Sequence, residues 1–209
     1  MFAGWRRRIG ALVGGFEAGQ GNRRLKGFVP SRAHLNTLIA ASGNDITARA
    51  RYLVRNNGYA ANAVESWAGN VVGTGIKPSS MIADAVKKAD VQRLWLDWTD
   101  DADADGVTDF FGLQRRVARE VFIAGEVFLR FRPRLPQDGL TVPLQLQMLP
   151  SEMLPIARNE TLPSGSTIRQ SIEFDQIGRR LAYHFLRRHP NDITDPGMAS
   201  ETTRVPASE

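Results

Sequence analysis

Along the middle of the chain, apolar residues return at steps of three and four. After Asp45, a plausible cap, Leu53, Val54, Ala61, Val64, Trp67, Ala68, Val71 and Val72 keep this spacing, which predicts one helix with a single buried stripe. It should end near Gly73. A second amphipathic helix is expected from about Ala83 to Thr99, burying Val91, Leu94, Trp95 and Trp98 at i, i+3, i+4 and i+7. Phe110, Leu113, Val117 and Val121 define a third, with Arg115, Arg116 and Arg119 on its opposite face and Gly125 as its stop.

After Gly125 the period changes to two. Val127, Leu129 and Phe131 should point one way and Glu126, Arg130 and Arg132 the other; beyond the turn containing PQDG, Leu144, Leu146 and Met148 alternate with Gln145 and Gln147. A second hairpin is expected across DQIG, from Ile172 and Phe174 to Leu181, Tyr183 and Phe185. Helices first and antiparallel strands afterwards give an α+β class. The divisions read from the pattern are a basic, Gly-rich flexible arm over 1–44 with a short helical piece near SRAHLNTLIA, an α+β domain over 45–188, and a loop or truncated segment over 189–209.

Charge changes the picture mainly at the front. The 209 residues carry a net charge of +5, yet residues 1–60 hold ten Arg or Lys against Glu17 and Asp45, which is +8 there and −3 for the remainder. Such a segment attracts nucleic acid or anionic surfaces through long-range attraction and counterion release. Three arginines before the apolar run Ile9–Phe16 suggest a signal peptide, but the run has only eight residues and no A-x-A site follows, so a basic arm is the better reading. No stretch approaches the roughly 18 apolar residues of a membrane span. Without cysteine there is neither a disulfide framework nor a thiolate metal site.

The chemistry-bearing motifs are thin. DADADG has the Asp spacing and Gly106 of a calcium loop, but counting from Asp101 the twelfth position, which needs a bidentate Glu, is Gly112. A helix-joining acidic turn, with Thr108 or Asp109 capping the next helix, is preferred over a calcium-binding module. His34, His184 and His189 lack the i, i+4 spacing of a helical metal site. GNVVGTGIKP lacks both the Walker spacing and the strand that a dinucleotide fingerprint follows. Glu126 reads as a single buried acid at a helix-to-strand corner, without the partner that acid–base chemistry needs. No catalytic, cofactor or metal residues are assigned, and an enzyme is not expected.

Several segments in order resemble the lambda family of phage portal proteins: RARYLVRNNGYAANAVESWAGNVVGTGIKP, the paired tryptophans of LWLDW, DADGVTDFFGLQRRVAREVFIAGEVFLRFRPR, VPLQLQMLPSEML, IEFDQIGRRLAYHFLRRHP and TTRVPASE. The resemblance implies a structural subunit of a tailed-phage or prophage capsid, resembling the outer wing region of a portal. Such subunits form a homo-oligomeric ring, typically of twelve, through which double-stranded DNA is packaged and ejected. The ring docks terminase and the head–tail connector, and its place is the virion's capsid vertex after assembly in the bacterial host cytoplasm. Family members are more than twice as long, so the sequence reads as the N-terminal part of a portal.

Candidate contacts with DNA or a neighbouring subunit are Arg6, Arg7, Arg8, Arg23, Arg24 and Lys26 in the arm, and Arg115, Arg116 and Arg119 on the third helix. A neighbouring subunit would meet them with its acidic turn, Asp97, Asp100, Asp101, Asp103 and Asp105. The alternative to a portal subunit is a stand-alone basic nucleic-acid-binding protein.

Overall fold

The Asn-Asn-Gly sequence after Arg55 places a strong capping residue in the middle of the first helical pattern, and the chain breaks there. The computed structural model describes residue 23, residues 26–192 and residues 201–208. The chain falls into two compact units, residues 1–37 and 38–209. In the first, Phe28 and Val29 are exposed, and Ser31 and His34 side chains accept backbone N–H bonds from Ala33 and Asn36 at the approach to a helix. That helix, α1 (Leu35–Asn56), is far longer than the short piece expected near SRAHLNTLIA, and Asp45 lies inside it rather than at its start.

The expected single helix is therefore two. Asn57 is extended, its Oδ1 accepts from Tyr59 N at 2.9 Å and Ala60 N at 3.2 Å, and α2 (Gly58–Val72) begins on that cap. Val54 and Ala61 lie seven residues apart, so the apolar period stays in phase across the break and hides it. The buried stripe is also narrower: Val64 and Ala68 are buried, while Leu53, Trp67 and Val71 are exposed. Gly73 ends α2 with φ +58°. Gly75, at φ +100°, passes so close to the Phe111 ring that a Cβ there would collide with it.

Asp84 caps α3 (Ala85–Asp101) by accepting from Val86 N and Lys87 N. Its buried face is Trp98, with Trp95 partly buried beside it, whereas Val91 and Leu94 remain exposed against expectation. Asp109 caps α4 (Phe110–Ala124) at Gly112 N, and Gly125, at φ +82°, stops it as expected. Trp95, Trp98 and Phe110 form an aromatic trio with centroids 5.0 to 5.2 Å apart.

The strands form two antiparallel sheets. β1 (Val127–Pro133) pairs with β2 (Leu144–Pro150) through the PQDG turn, in which Gly139 takes a left-handed conformation. The second sheet is β3 (Glu160–Thr161), β4 (Thr167–Arg169), β5 (Ile172–Phe174), β6 (Arg180–Leu186) and β7 (Thr202–Pro206), laid side by side in chain order. The hairpin across DQIG forms with a bulge at Glu173/Phe174, and the Asp175 side chain holds the turn by accepting from Ile177 N and Arg179 N. The short β3 and β4 have too few residues to show a period. β7 lies in the stretch expected to be loop or truncated segment; its burial comes from pairing with β6, which no local pattern announces.

The β1–β2 hairpin separates two apolar clusters. On one face Leu146 and Met148, with Val127 beside them, pack with Trp98, Ala102 and Leu113. On the other, Phe128 and Leu149 pack against Met153, Leu154, Phe185, Leu186 and Val205. Leu129 and Phe131, expected to share the first buried face, are 43% and 50% exposed, although their cross-strand partners Met148 and Leu146 are buried in the first cluster.

Candidate functional site

Within the acidic turn, Asp103 is the residue the backbone closes around. Its side chain is 1% exposed, and its two oxygens accept from Asp105 N at 3.1 Å, Val107 N at 3.0 Å and Thr108 N at 3.1 Å, with Arg116 Nη1 at 3.5 Å. The neighbouring backbone locks to β2 through Leu146 N to Ala102 O and Ala104 N to Leu146 O. A carboxylate with its lone pairs engaged by backbone donors organises a turn rather than a cation. At Gly112, the position where a calcium loop needs its bidentate Glu, a Cβ would strike the Thr108 hydroxyl. Among the described residues, no group of three His, Asp or Glu side chains is placed to hold a metal ion.

The arginine face of α4 turns towards its own chain. Arg115 and Arg119 both pair with Glu65 of α2, the first at 2.6 Å, and Arg116 meets Asp103. Asp103 is thus withdrawn from the acidic surface expected to face a neighbour, whereas Asp100, Asp101 and Asp105 stay exposed. In the arm, Arg23 and Lys26 are exposed; Arg6, Arg7, Arg8 and Arg24 lie outside the described residues. Glu126 is exposed at the corner between α4 and β1, not buried as expected, although partial desolvation still pushes its carboxyl up.

Two charged nodes escape the sequence reading. Arg51 of α1 reaches Glu120 of α4, at 3.0 and 2.8 Å, and Glu152 in the turn after β2, at 2.7 Å. Burial works to raise the Glu152 carboxyl, but the hydrogen bonds and charge of Arg51 overcome it and hold it below its usual value; Glu152 and Glu120 push the Arg51 guanidinium upward. Arg51 also lines a cleft of about 610 Å³ in which Arg51 and Arg55 face Asp45 and Glu152, so the opposing charges balance. In the second sheet, Glu173 is 6% exposed and accepts from Arg204 at 2.8 and 3.1 Å, with His184 Nε2 at 3.0 Å. Arg204 chiefly, with His184 in addition, holds the Glu173 carboxyl down against its burial. The only local signal was an acid and a histidine at inward positions of apolar strands. Both nodes join segments distant in sequence, which spacing cannot reveal.

These arrangements are ion pairs and turn locks that join helices to sheets, and they describe a scaffold. The profile described as phage portal protein, lambda family, matches residues 21–209. This chain belongs to that family. A probable portal protein of Halomonas phage phiHAP-1 is 27% identical over 170 residues, covering 77% of this portal-family chain and 32% of the relative. The chain thus spans about a third of the length of the curated relative it matches. The family is a structural one, in keeping with the scaffold-like chemistry of the portal-family fold described above.

Proposed function

We propose that the chain forms the wing region of a portal subunit in a tailed-phage or prophage capsid, preceded by a basic arm. In this reading subunits assemble into a ring, typically of twelve, at one capsid vertex of the virion, after synthesis in the host cytoplasm. DNA is packaged and ejected through the ring, which docks terminase and the head–tail connector. The observation that carries the reading is the family match across residues 21–209. The fold supports it, because a ring subunit needs rigid elements and surfaces for neighbours on two sides, and ion pairs tie α1, α2 and α4 of this chain into one frame. Among the described residues no helix is long and apolar enough to cross a membrane.

Negative-stain electron microscopy of the product of the whole gene tests the proposal. Rings are expected, and monomers under every assembly condition would overturn it.

The charge of the first 60 residues favours a second reading, direct contact with DNA by the arm. Replacing Arg6, Arg7 and Arg8 with alanine is then expected to weaken duplex binding at low salt and to flatten its salt dependence. Because Arg115, Arg116 and Arg119 are each held in an ion pair within the chain, two of them sharing Glu65, alanine there is expected to cost stability more than DNA affinity. Equal salt slopes for wild type and the arm variant would exclude the arm as the contact.

A further inference from the structure

The charges of the second sheet are sorted by face. Cross-strand partners share a face, so the register places Thr161, Thr167, Phe174 and Arg180 in one row across β3 to β6, and Arg169, Ile172, Tyr183 and Val205 in the next row across β4 to β7. Both rows lie on the same face. Glu160, opposite Ile168, and Glu173 lie on the other, and Arg158 and Arg204 pair with them. No acid of these five strands therefore shares the face of Arg169 and Arg180.

Neutral groups hold the two arginines. The Arg169 guanidinium lies over the Phe174 ring, 5.4 Å from its centroid, and Arg180 Nη1 is 3.5 Å from the Tyr183 hydroxyl. A ring or a hydroxyl orients a guanidinium and leaves its charge in place. Both arginines are exposed, as are Arg179 beside them and Thr161 at the start of the first row. Among the described residues no carboxylate pairs with Arg169, Arg179 or Arg180. Asp175, the acid nearest in sequence to Arg179, serves the hairpin turn, its Oδ1 accepting from Ile177 N and Arg179 N. Towards β7 the same face is covered, with Phe128 against Tyr183 and Phe185, so the open part is the one that carries the arginines.

We propose that this open part of the second sheet binds the phosphodiester backbone of nucleic acid without reading its sequence. Guanidinium and hydroxyl donors with no carboxylate among them are the set that contacts phosphate oxygens. Arg169 and Arg180 stand on strands separated by β5, roughly 10 Å apart at two strand spacings, which suits phosphates repeated along a chain rather than one isolated anion. Ile172 and Phe174, the apolar residues between them, are partly buried. The surface thus offers charge and hydroxyls but lacks the apolar anchor around which a protein partner packs. The proposal does not rest on the portal reading, and the surface is separate from the basic arm.

The test titrates a short labelled DNA duplex with the full chain at several salt concentrations, read by fluorescence anisotropy, in a background with alanine at Arg6, Arg7 and Arg8 so that the arm does not contribute. Arg169→Gln combined with Arg180→Gln is expected to weaken binding about tenfold at low salt and to reduce the slope of log affinity against log salt by about two. Arg169→Lys with Arg180→Lys keeps both charges and is expected to retain most of the affinity. Arg187→Gln, which removes an arginine already paired with Glu201, is expected to leave it unchanged. Phenylglyoxal modification of the wild-type chain asks the same question without a substitution: bound duplex is expected to slow reaction at Arg169 and Arg180 but not at Arg187. Unaltered affinity and slope in the glutamine variant, or modification rates that duplex does not change, would overturn the proposal. Displacement of the duplex by inorganic phosphate far beyond that by chloride of equal ionic strength identifies a single-phosphate site instead. Self-association in sedimentation that the glutamine variant loses makes an acidic face of a second copy the occupant, and either of these two results rejects nucleic acid.

Discussion

Asp103 accepts three backbone N–H groups and faces Arg116 while almost wholly buried. Asp103→Ala strands those donors and leaves the arginine without its anion, so a loss of about 3 kcal/mol is expected, measured by urea unfolding. Asp103→Asn, which keeps an acceptor, is expected to lose less. Glu173 carries a pH signature. Its carboxyl is held down in the folded chain, so its stabilisation is present above the ordinary Glu value, near 4.3, and is lost as pH falls through the lower folded value. Glu173→Gln should therefore melt lower than wild type at neutral pH, and the gap should narrow in acid. A constant gap would mean that the carboxylate's charge is not what stabilises the sheet.

The three helical patterns, the stop at Gly125 and both expected hairpins were legible in the sequence, because each is a local period or a turn residue acting within a few positions. The break at Asn57 was not, since Val54 and Ala61 keep the stripe in register on either side. Asn57→Ala is expected to cost about 1 kcal/mol through the lost cap, with fraying of the first turn of α2 visible as faster amide exchange at Tyr59 and Ala60. Trp98 is a second handle on the elements, because its ring fills the first apolar cluster while Nε1 donates to Leu144 O at 2.7 Å. Trp98→Phe keeps most of the packing and is expected to lose about 1 kcal/mol, whereas Trp98→Ala is expected to lose about 3 to 5. The exposure of Leu129 and Phe131 was illegible for another reason: alternation gives the face, but which of two paired strands is covered on that face, here β2 through Leu146 and Met148, is decided by tertiary packing.

At the scale of the molecule, the two apolar clusters share the β1–β2 hairpin as a common wall, through Leu146 and Met148 on one side and Phe128 and Leu149 on the other. Opening either cluster exposes the other, so native-state hydrogen exchange is expected to give the same opening free energy for the slowest amides of β2 and β6. Two distinct values would mean that the halves open separately. The candidate contact surface was only partly readable from sequence. Arg115, Arg116 and Arg119 do share a helix face, but their partners Glu65 and Asp103 lie 50, 13 and 54 residues away.

The second sheet has its five strands side by side in the order in which they occur in the chain. During synthesis each strand therefore meets its neighbour as soon as it emerges, and none has to wait unpaired for a partner still to be made. From β3 to β6 the connections are short (162–166, 170–171 and 175–179), so the entropy to be overcome at those steps is small and the sheet grows by zipping from β3 towards β7, with a longer connection only before β7. Within this sheet each inner strand edge is therefore left unpaired only briefly while the chain is being made.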